Sequence, residues 1–291
     1  MLSTGIIAAF VCVILFSLGD TLAKNAATAL GSYRTALYIV VSGGVPIAVA
    51  FALFPPQSIT VTILELSCLG GVFLAAGYAL VYISLRTEQA SDTWALINIS
   101  PAALILFGIF VLGEPVNPLQ AVCIGAIIIG ALMITVTEDV RFNRKLLPAM
   151  AGNLCFAAFI LIAVYGMSTY RNDITAFYFV PRLVAIAALV GYAAVKPKSL
   201  RAAAGTKRSL RLWGISQRRI AVVSGLLDGA AQASFMLVVL FSVVAIGSAI
   251  TAAEPVLVVL LCYVLYRERL TRLQAAGIVI SVIGAVAVGF V

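Results

Sequence analysis

Apolar runs of roughly 20 residues, the length a helix needs to cross a hydrocarbon core of about 30 Å, follow one another along this chain. Short breaks carrying charges, glycine or proline separate them. Ten spans are read this way, over residues 2–22, 33–54, 61–85, 92–112, 118–137, 147–168, 174–195, 219–243, 247–266 and 271–291. The short alternating segments of a transmembrane barrel are absent from the pattern. The first run starts at Leu2 without a basic leader, so it reads as a span and not as a cleavable signal. Composition points the same way. The chain is 63% hydrophobic and 10% charged, with a mean hydropathy of +1.14. A soluble domain of that makeup would expose large apolar patches. The fold class expected is an all-α polytopic membrane protein of ten helices.

The hydrophobic pattern also repeats. Residues 101–136 and 255–290 align without a gap at an offset of 154, so that Pro101 meets Pro255, Glu114 meets Glu268, Leu119-Gln120-Ala121 meets Leu273-Gln274-Ala275, and Gly130 meets Gly284. Five spans fall on each side of the segment Glu138 to Leu146, and an odd number per half turns the second half upside down relative to the first. The chain is therefore expected to hold two inverted five-helix repeats, 1–140 and 147–291. Inverted repeats are the usual signature of a carrier, because two pseudo-symmetric halves can rock about a site held between them.

Charge adds an orientation. Of the 19 Lys and Arg residues, all but Arg171 and Arg182 lie in or beside the connections between spans 1–2, 3–4, 5–6, 7–8 and 9–10. The positive-inside rule places those connections in the cytoplasm and both termini outside a plasma (inner) membrane. The connection from Lys196 to Arg219 carries eight basic and no acidic residues. It reads first as a topology anchor and second as an amphipathic segment on anionic lipid. Nothing else in the chain supports a nucleic-acid partner.

Ionisable groups inside spans are costly, about 2.5–3.5 kcal/mol at a helix centre, and are functional candidates for that reason. Arg182 in span 7, Asp228 in span 8 and Glu254 in span 9 are the midspan set, all in the second half. Helical spacing extends each into a polar stripe, Thr175-Tyr178-Arg182, Ser224-Asp228-Gln232 and Thr251-Glu254. Tyr78 and Tyr82 in span 3, with Trp94 and Asn98 in span 4, are softer counterparts in the first half. Together these residues are the expected substrate site. Ala221, Gly225, Gly229 and Ala233 lie on a neighbouring face of span 8 and would let it pack closely. Pro101 and Pro255 interrupt equivalent helices and make Ser100 and Glu254 repeat equivalents; such paired interruptions mark hinges and binding sites. If Arg182 pairs with Asp228, Glu254 remains as the proton-coupling acid. Asp228 itself is the alternative. The competing reading is that the three charges neutralise one another and only hold spans 7, 8 and 9 together.

With the repeat and its landmarks in view, the chain resembles the drug/metabolite transporter superfamily, in its EamA-like ten-helix branch. The resemblance rests on Leu112-Gly113-Glu114 with Leu119-Gln120 and Gly125, on Arg267-Glu268 with Leu273-Gln274 and Gly277, and more weakly on Gly19, Lys24 and Arg34. It covers nearly the whole chain. It implies a central cavity lined by spans 1 to 4 and 6 to 9, with spans 5 and 10 peripheral. It also raises a gating or substrate-facing role for Asp20, Lys24 and Arg34, although Asp20 and Lys24, four residues apart, would suit a simple ion pair. Many bacterial relatives keep their termini cytoplasmic, which is opposite to this charge pattern. Tyr266-Arg267-Glu268 departs from the usual Gly-Glu of the second half.

The function these features imply is secondary-active, alternating-access transport of a small polar metabolite, an amino acid-like zwitterion or an organic anion, by proton coupling or exchange. The alternative is a membrane-embedded protein or enzyme acting on a lipid headgroup. The chain has no histidine, no GxxxxGK[ST] loop and no CxxC among its five cysteines, so nucleotide-driven transport and zinc chemistry have no sequence support, and no cofactor or metal is expected. Glu114 and Glu268 read as caps of the tight turns that follow them. Small-residue stripes at Ala121-Gly125 and Gly277-Ser281-Ala285 suit either a homodimer interface or packing within one chain.

Overall fold

The computed structural model of the chain describes residues 2–87, 99–135, 147–195, 215–266 and 271–288. Every regular element among them is helical: α1 (Leu2–Leu30), α2 (Ser32–Leu53), α3 (Val61–Thr87), α4 (Ile99–Phe110), α5 (Pro118–Thr135), α6 (Leu147–Thr169), α7 (Ala176–Val195), α8 (Gln217–Phe241), α9 (Val244–Thr251), α10 (Glu254–Tyr266) and α11 (Arg272–Val288). Among the described residues, 7 stretches are long and apolar enough to cross a membrane: α1, α2, α3, α6, α7, α8 and the run through α9 and α10. Shorter apolar helices run over Pro118–Gly130 and Arg272–Val288.

The surface is inverted relative to a water-soluble protein. Ile7, Val11, Ile14 and Leu18 are exposed on successive turns of α1, and Val41, Val45, Val49 and Leu53 do the same on α2. Ser17, Asn25, Thr35 and Ser42, in the same two helices, are buried. Lipid is as apolar as these side chains, so an outward apolar stripe costs nothing there, while polar groups gather in the interior where they find partners.

Helices pack in exchanged pairs, as a repeat requires. α1 lies on α8, and α6, the repeat equivalent of α1, lies on α3, the equivalent of α8. Likewise α2 on α8 is matched by α7 on α3, and α1 on α10 by α6 on α4. The pairs α2 with α7, α4 with α9, and α5 with α11 join equivalents directly. Ser281 Oγ donates to the Ile127 carbonyl at 3.2 Å, and these positions are separated by the repeat offset of 154. The stripe Gly277-Ser281-Ala285 is thus occupied within the chain. A Cβ on Gly130 would stand 2.6 Å from the Gly277 carbonyl, and one on Gly284 2.9 Å from that of Cys123.

Two boundaries differ from the sequence expectation. α1 does not stop near residue 22 but runs to Leu30, because Ala-rich Ala23–Leu30 continues the helix until Gly31, at φ 86, ends it. Asp20 and Lys24 therefore lie inside a helix. Span 9 begins earlier than expected, at Val244, and is broken at Ala252 and Ala253. Pro255 has no N–H to offer the Thr251 carbonyl, and the chain tightens there: the Ala253 N–H donates to Ile250 and that of Val256 to Ala253, both at 3.0 Å.

The Leu112-Gly113-Glu114 landmark also differs from its expected role. Gly113, at φ 65, ends the helix, and the Glu114 N–H beyond it donates to the Gly108 carbonyl at 3.1 Å. That stop aims the Glu114 carboxylate away from the following helix and at a distant one. Its oxygens accept the N–H groups of Val244 and Ala245 at 2.7 and 2.8 Å. A first-half residue thereby caps the N-terminus of α9 in the second half, where the helix dipole favours a negative charge. Its repeat partner Glu268 lies outside the described residues.

Candidate functional site

A cavity of about 130 Å³ opens between the halves, with lining from α1, α3, α4, α6, α7, α8, α9 and α10. None of α2, α5 or α11 lines it. The peripheral position of spans 5 and 10 is as the resemblance implies; span 2, expected in the wall, instead supports it from behind.

That support is steric. α2 and α8 approach so closely that a Cβ on Gly225 would stand 2.5 Å from the Ile39 carbonyl, and one on Gly43 would stand 2.8 Å from the Gly225 carbonyl. The small face expected on α8 is therefore the face used, against α2. On the α1 side, Ser224 Oγ donates to the Gly19 carbonyl at 2.7 Å. Ser224 is thus a packing tie and not cavity lining. Thr175, similarly, donates to the Phe54 carbonyl at 2.8 Å and stays out of the cavity.

Close packing of α2, α7 and α8 brings Asp228 to Arg182. The Arg182 Nη2 donates to Asp228 Oδ2 at 2.8 Å, and Arg182 is 1% exposed. Tyr78 donates its hydroxyl hydrogen to the same Oδ2 at 2.7 Å and accepts from Arg182 Nη1 at 3.2 Å. Gln232 Nε2 reaches both carboxylate oxygens and the Tyr78 hydroxyl at 3.2 to 3.3 Å. The guanidinium also sits 5.4 Å from the Tyr78 ring centroid. Three helices thus neutralise and hydrogen-bond one carboxylate, the condition under which a buried ion pair is tolerated.

The same cavity holds a second acidic group of different character. Glu254 opens α10 just after the Pro255-linked break, and Asp20 comes from the middle of α1. The two side chains meet at the cavity, close enough for a direct carboxyl–carboxyl contact. Such a contact is a hydrogen bond only while one of the two carboxyls carries a proton. Ser17 Oγ, on the turn before Asp20, donates to the Glu254 carbonyl at 3.1 Å and ties α1 to the same break.

Of the residues expected at the site, Asp228, Glu254, Gln232, Tyr178, Tyr78 and Tyr82 line the cavity. Arg182 does not; it is buried beside the wall, ion-paired. Trp94 and Asn98 lie outside the described residues. Pro255 marks the helix break, and Pro101 occupies the third position of α4, whose start at Ile99 adjoins undescribed residues. Of the three residues suggested for gating, Asp20 joins the cavity, whereas Lys24 does not line it and Arg34 is exposed at the start of α2. Charged groups at the cavity are thus not confined to the second half, where the midspan set lies, since the first half contributes Asp20.

Sequence reasoning missed an aromatic wall. Phe156 and Phe159 of α6, Phe16 of α1 and Phe235 of α8 line the cavity, and Phe156 meets the Tyr78 ring edge-on at 5.1 Å. The i, i+4 spacing of Phe16 and Asp20, which places an aromatic ring beside a carboxyl, was the available signal.

One solved crystal structure superposes with a TM-score of 0.66 at 17% identity, covering 99% of this chain and 96% of its own, which shows a shared fold. No curated protein matches the chain. The EamA-like transporter family matches residues 3–136 and 144–290, once over each half. A helical membrane protein with a doubled sequence, exchanged helix pairs and a cavity between its halves, this chain belongs to the EamA-like transporter family.

Proposed function

We propose that the chain is a secondary-active carrier that moves a small polar metabolite across the plasma membrane by alternating access, with the Asp20–Glu254 pair as its proton-coupling element. The observation that carries this reading is the position of that pair. It joins α1 of the first half to the broken helix of the second, at a cavity lined from both. A change in the proton held there alters what links the halves, and that is what coupling requires. Asp228 is already held by Arg182, which leaves Glu254 and its partner for the task. The domain division at 1–140 and 147–291 follows the repeat, and the basic connections lie in the cytoplasm with the termini outside.

The test uses Glu254→Gln protein in liposomes. It should lose uptake driven by a pH gradient, by a factor of about 10 or more, while keeping counterflow exchange, because the substituted pair no longer exchanges a proton. Proton-driven uptake equal to that of the unsubstituted chain would overturn the proposal. Accessibility of single cysteines placed between residues 196 and 219 fixes the orientation.

A further inference from the structure

We infer that the cavity recognises an organic amine whose apolar body is about one ring in size, with its ammonium held by Asp20 and Glu254. The inference rests on the carrier reading only in treating this cavity as the cargo site.

Charge is the first ground. The described lining contains Asp20, Asp228 and Glu254 and no cation. Arg182 is buried and bonded to Asp228 and Tyr78, so it cannot turn to an incoming anion without stranding Asp228. With one proton on the carboxyl pair, a single negative charge remains uncompensated, and one ammonium neutralises it. The carboxylate of a zwitterion, or of an organic acid, would meet only like charge.

The remaining wall suits the rest of such a molecule. Phe16 lies one turn from Asp20 on the same face of α1, and Tyr82 stacks at 4° and 6.2 Å on Tyr78 beside it. Aromatic faces next to a carboxylate hold an ammonium by cation–π attraction as well as by charge. A cavity of about 150 Å³ accommodates benzene, so the 130 Å³ found here fits one ring with little to spare.

An independent observation also points to a donor ligand. Gln232 is 6% exposed and lines the cavity, and its Oε1 accepts no hydrogen bond. A buried acceptor without a donor is costly, and an ammonium hydrogen would satisfy it.

An amine entering this site replaces the proton held between Asp20 and Glu254. The other titratable groups facing the pair are already engaged or neutral: Asp228 is paired with Arg182, and Tyr78, Tyr82 and Cys12 are buried. Binding should therefore release about one proton per amine.

The experiment is calorimetric titration of the purified full chain with phenethylamine, phenylalanine and phenylacetate, in two buffers of different protonation enthalpy. The amine is expected to bind at least about 10-fold tighter than the other two and to release a proton, and Asp20→Asn and Glu254→Gln should each weaken it by about 10-fold. Tighter binding of phenylacetate or phenylalanine, no amine binding, or amine binding that neither substitution weakens would overturn the inference. Where a substituted chain fails to fold, proton release by the unsubstituted one decides. The two readings fail separately. Amine binding without amine counterflow in liposomes removes the carrier and keeps the ligand class; phenylalanine counterflow without amine binding does the reverse.

Discussion

Asp228 and the Asp20–Glu254 pair face one cavity, and they solve the problem of buried charge differently. Asp228 is surrounded: a guanidinium, a phenol and a carboxamide from α7, α3 and α8 converge on its two oxygens. Asp20 and Glu254 have each other, and their contact depends on a proton that can leave. The first arrangement neutralises its carboxylate without any ligand. The second becomes complete only when a proton or a cation is present. The contrast separates a group that fixes the fold from a group that can report on the contents of the cavity.

Removing the guanidinium breaks the first arrangement most severely. Arg182→Met leaves Asp228 buried and unpaired, a cost of about 3–5 kcal/mol. The double substitution Arg182→Met with Asp228→Leu should recover more than half of that loss, since no uncompensated charge remains. Detergent-solubilised melting curves for the two single variants and the double variant measure it. A double variant no more stable than Arg182→Met would mean that the network contributes more than neutralisation.

A smaller effect is expected where the halves are joined far from any titration. Glu114→Ala removes two charge-assisted hydrogen bonds from the start of α9, for about 2 kcal/mol. If α9 sets the position of the broken helix, the same variant should also weaken amine binding, about 3-fold, without altering proton release per amine. Unchanged melting would show that the cap is not needed to hold α9.

How much of this was legible beforehand differs between the regions for physical reasons. Hydropathy fixes spans because lipid accepts only long satisfied helices, so most element positions were readable to within a few residues, the end of α1 being the exception. Arg182, Asp228 and Glu254 were readable because a charge in an apolar run is costly and stands out, whether it serves a ligand or only another charge. Asp20 was obscured by Lys24, four residues on, which offered an ordinary partner, and by an early expected end for α1 at residue 22. The helix in fact continues to Leu30 and carries Asp20 into the interior. Glu114 was given a local cap because spacing reveals neighbours in sequence only, and its true partners lie 130 and 131 residues away. The aromatic wall was hidden by abundance, since a phenylalanine in a membrane helix is ordinary until the fold places several around one space.

The smallest change in stability should come from the pair itself, and it is the sharpest test of the contrast. In Asp20→Asn the new amide can donate to the Glu254 carboxylate, so the contact between α1 and α10 survives without a shared proton. One fewer ionisable group is buried, and the packing is nearly unchanged. Stability should therefore move by less than about 0.5 kcal/mol in either direction, a shift of about 2 °C or less in melting. Transport should nonetheless lose its dependence on the pH gradient, because the proton that linked the halves has been replaced by an amide that does not leave. A large function effect with a negligible stability effect is the opposite of what Arg182→Met should give. If Asp20→Asn instead cost as much as Arg182→Met, the pair would be a brace like Asp228 and Arg182, and the two arrangements would do the same work.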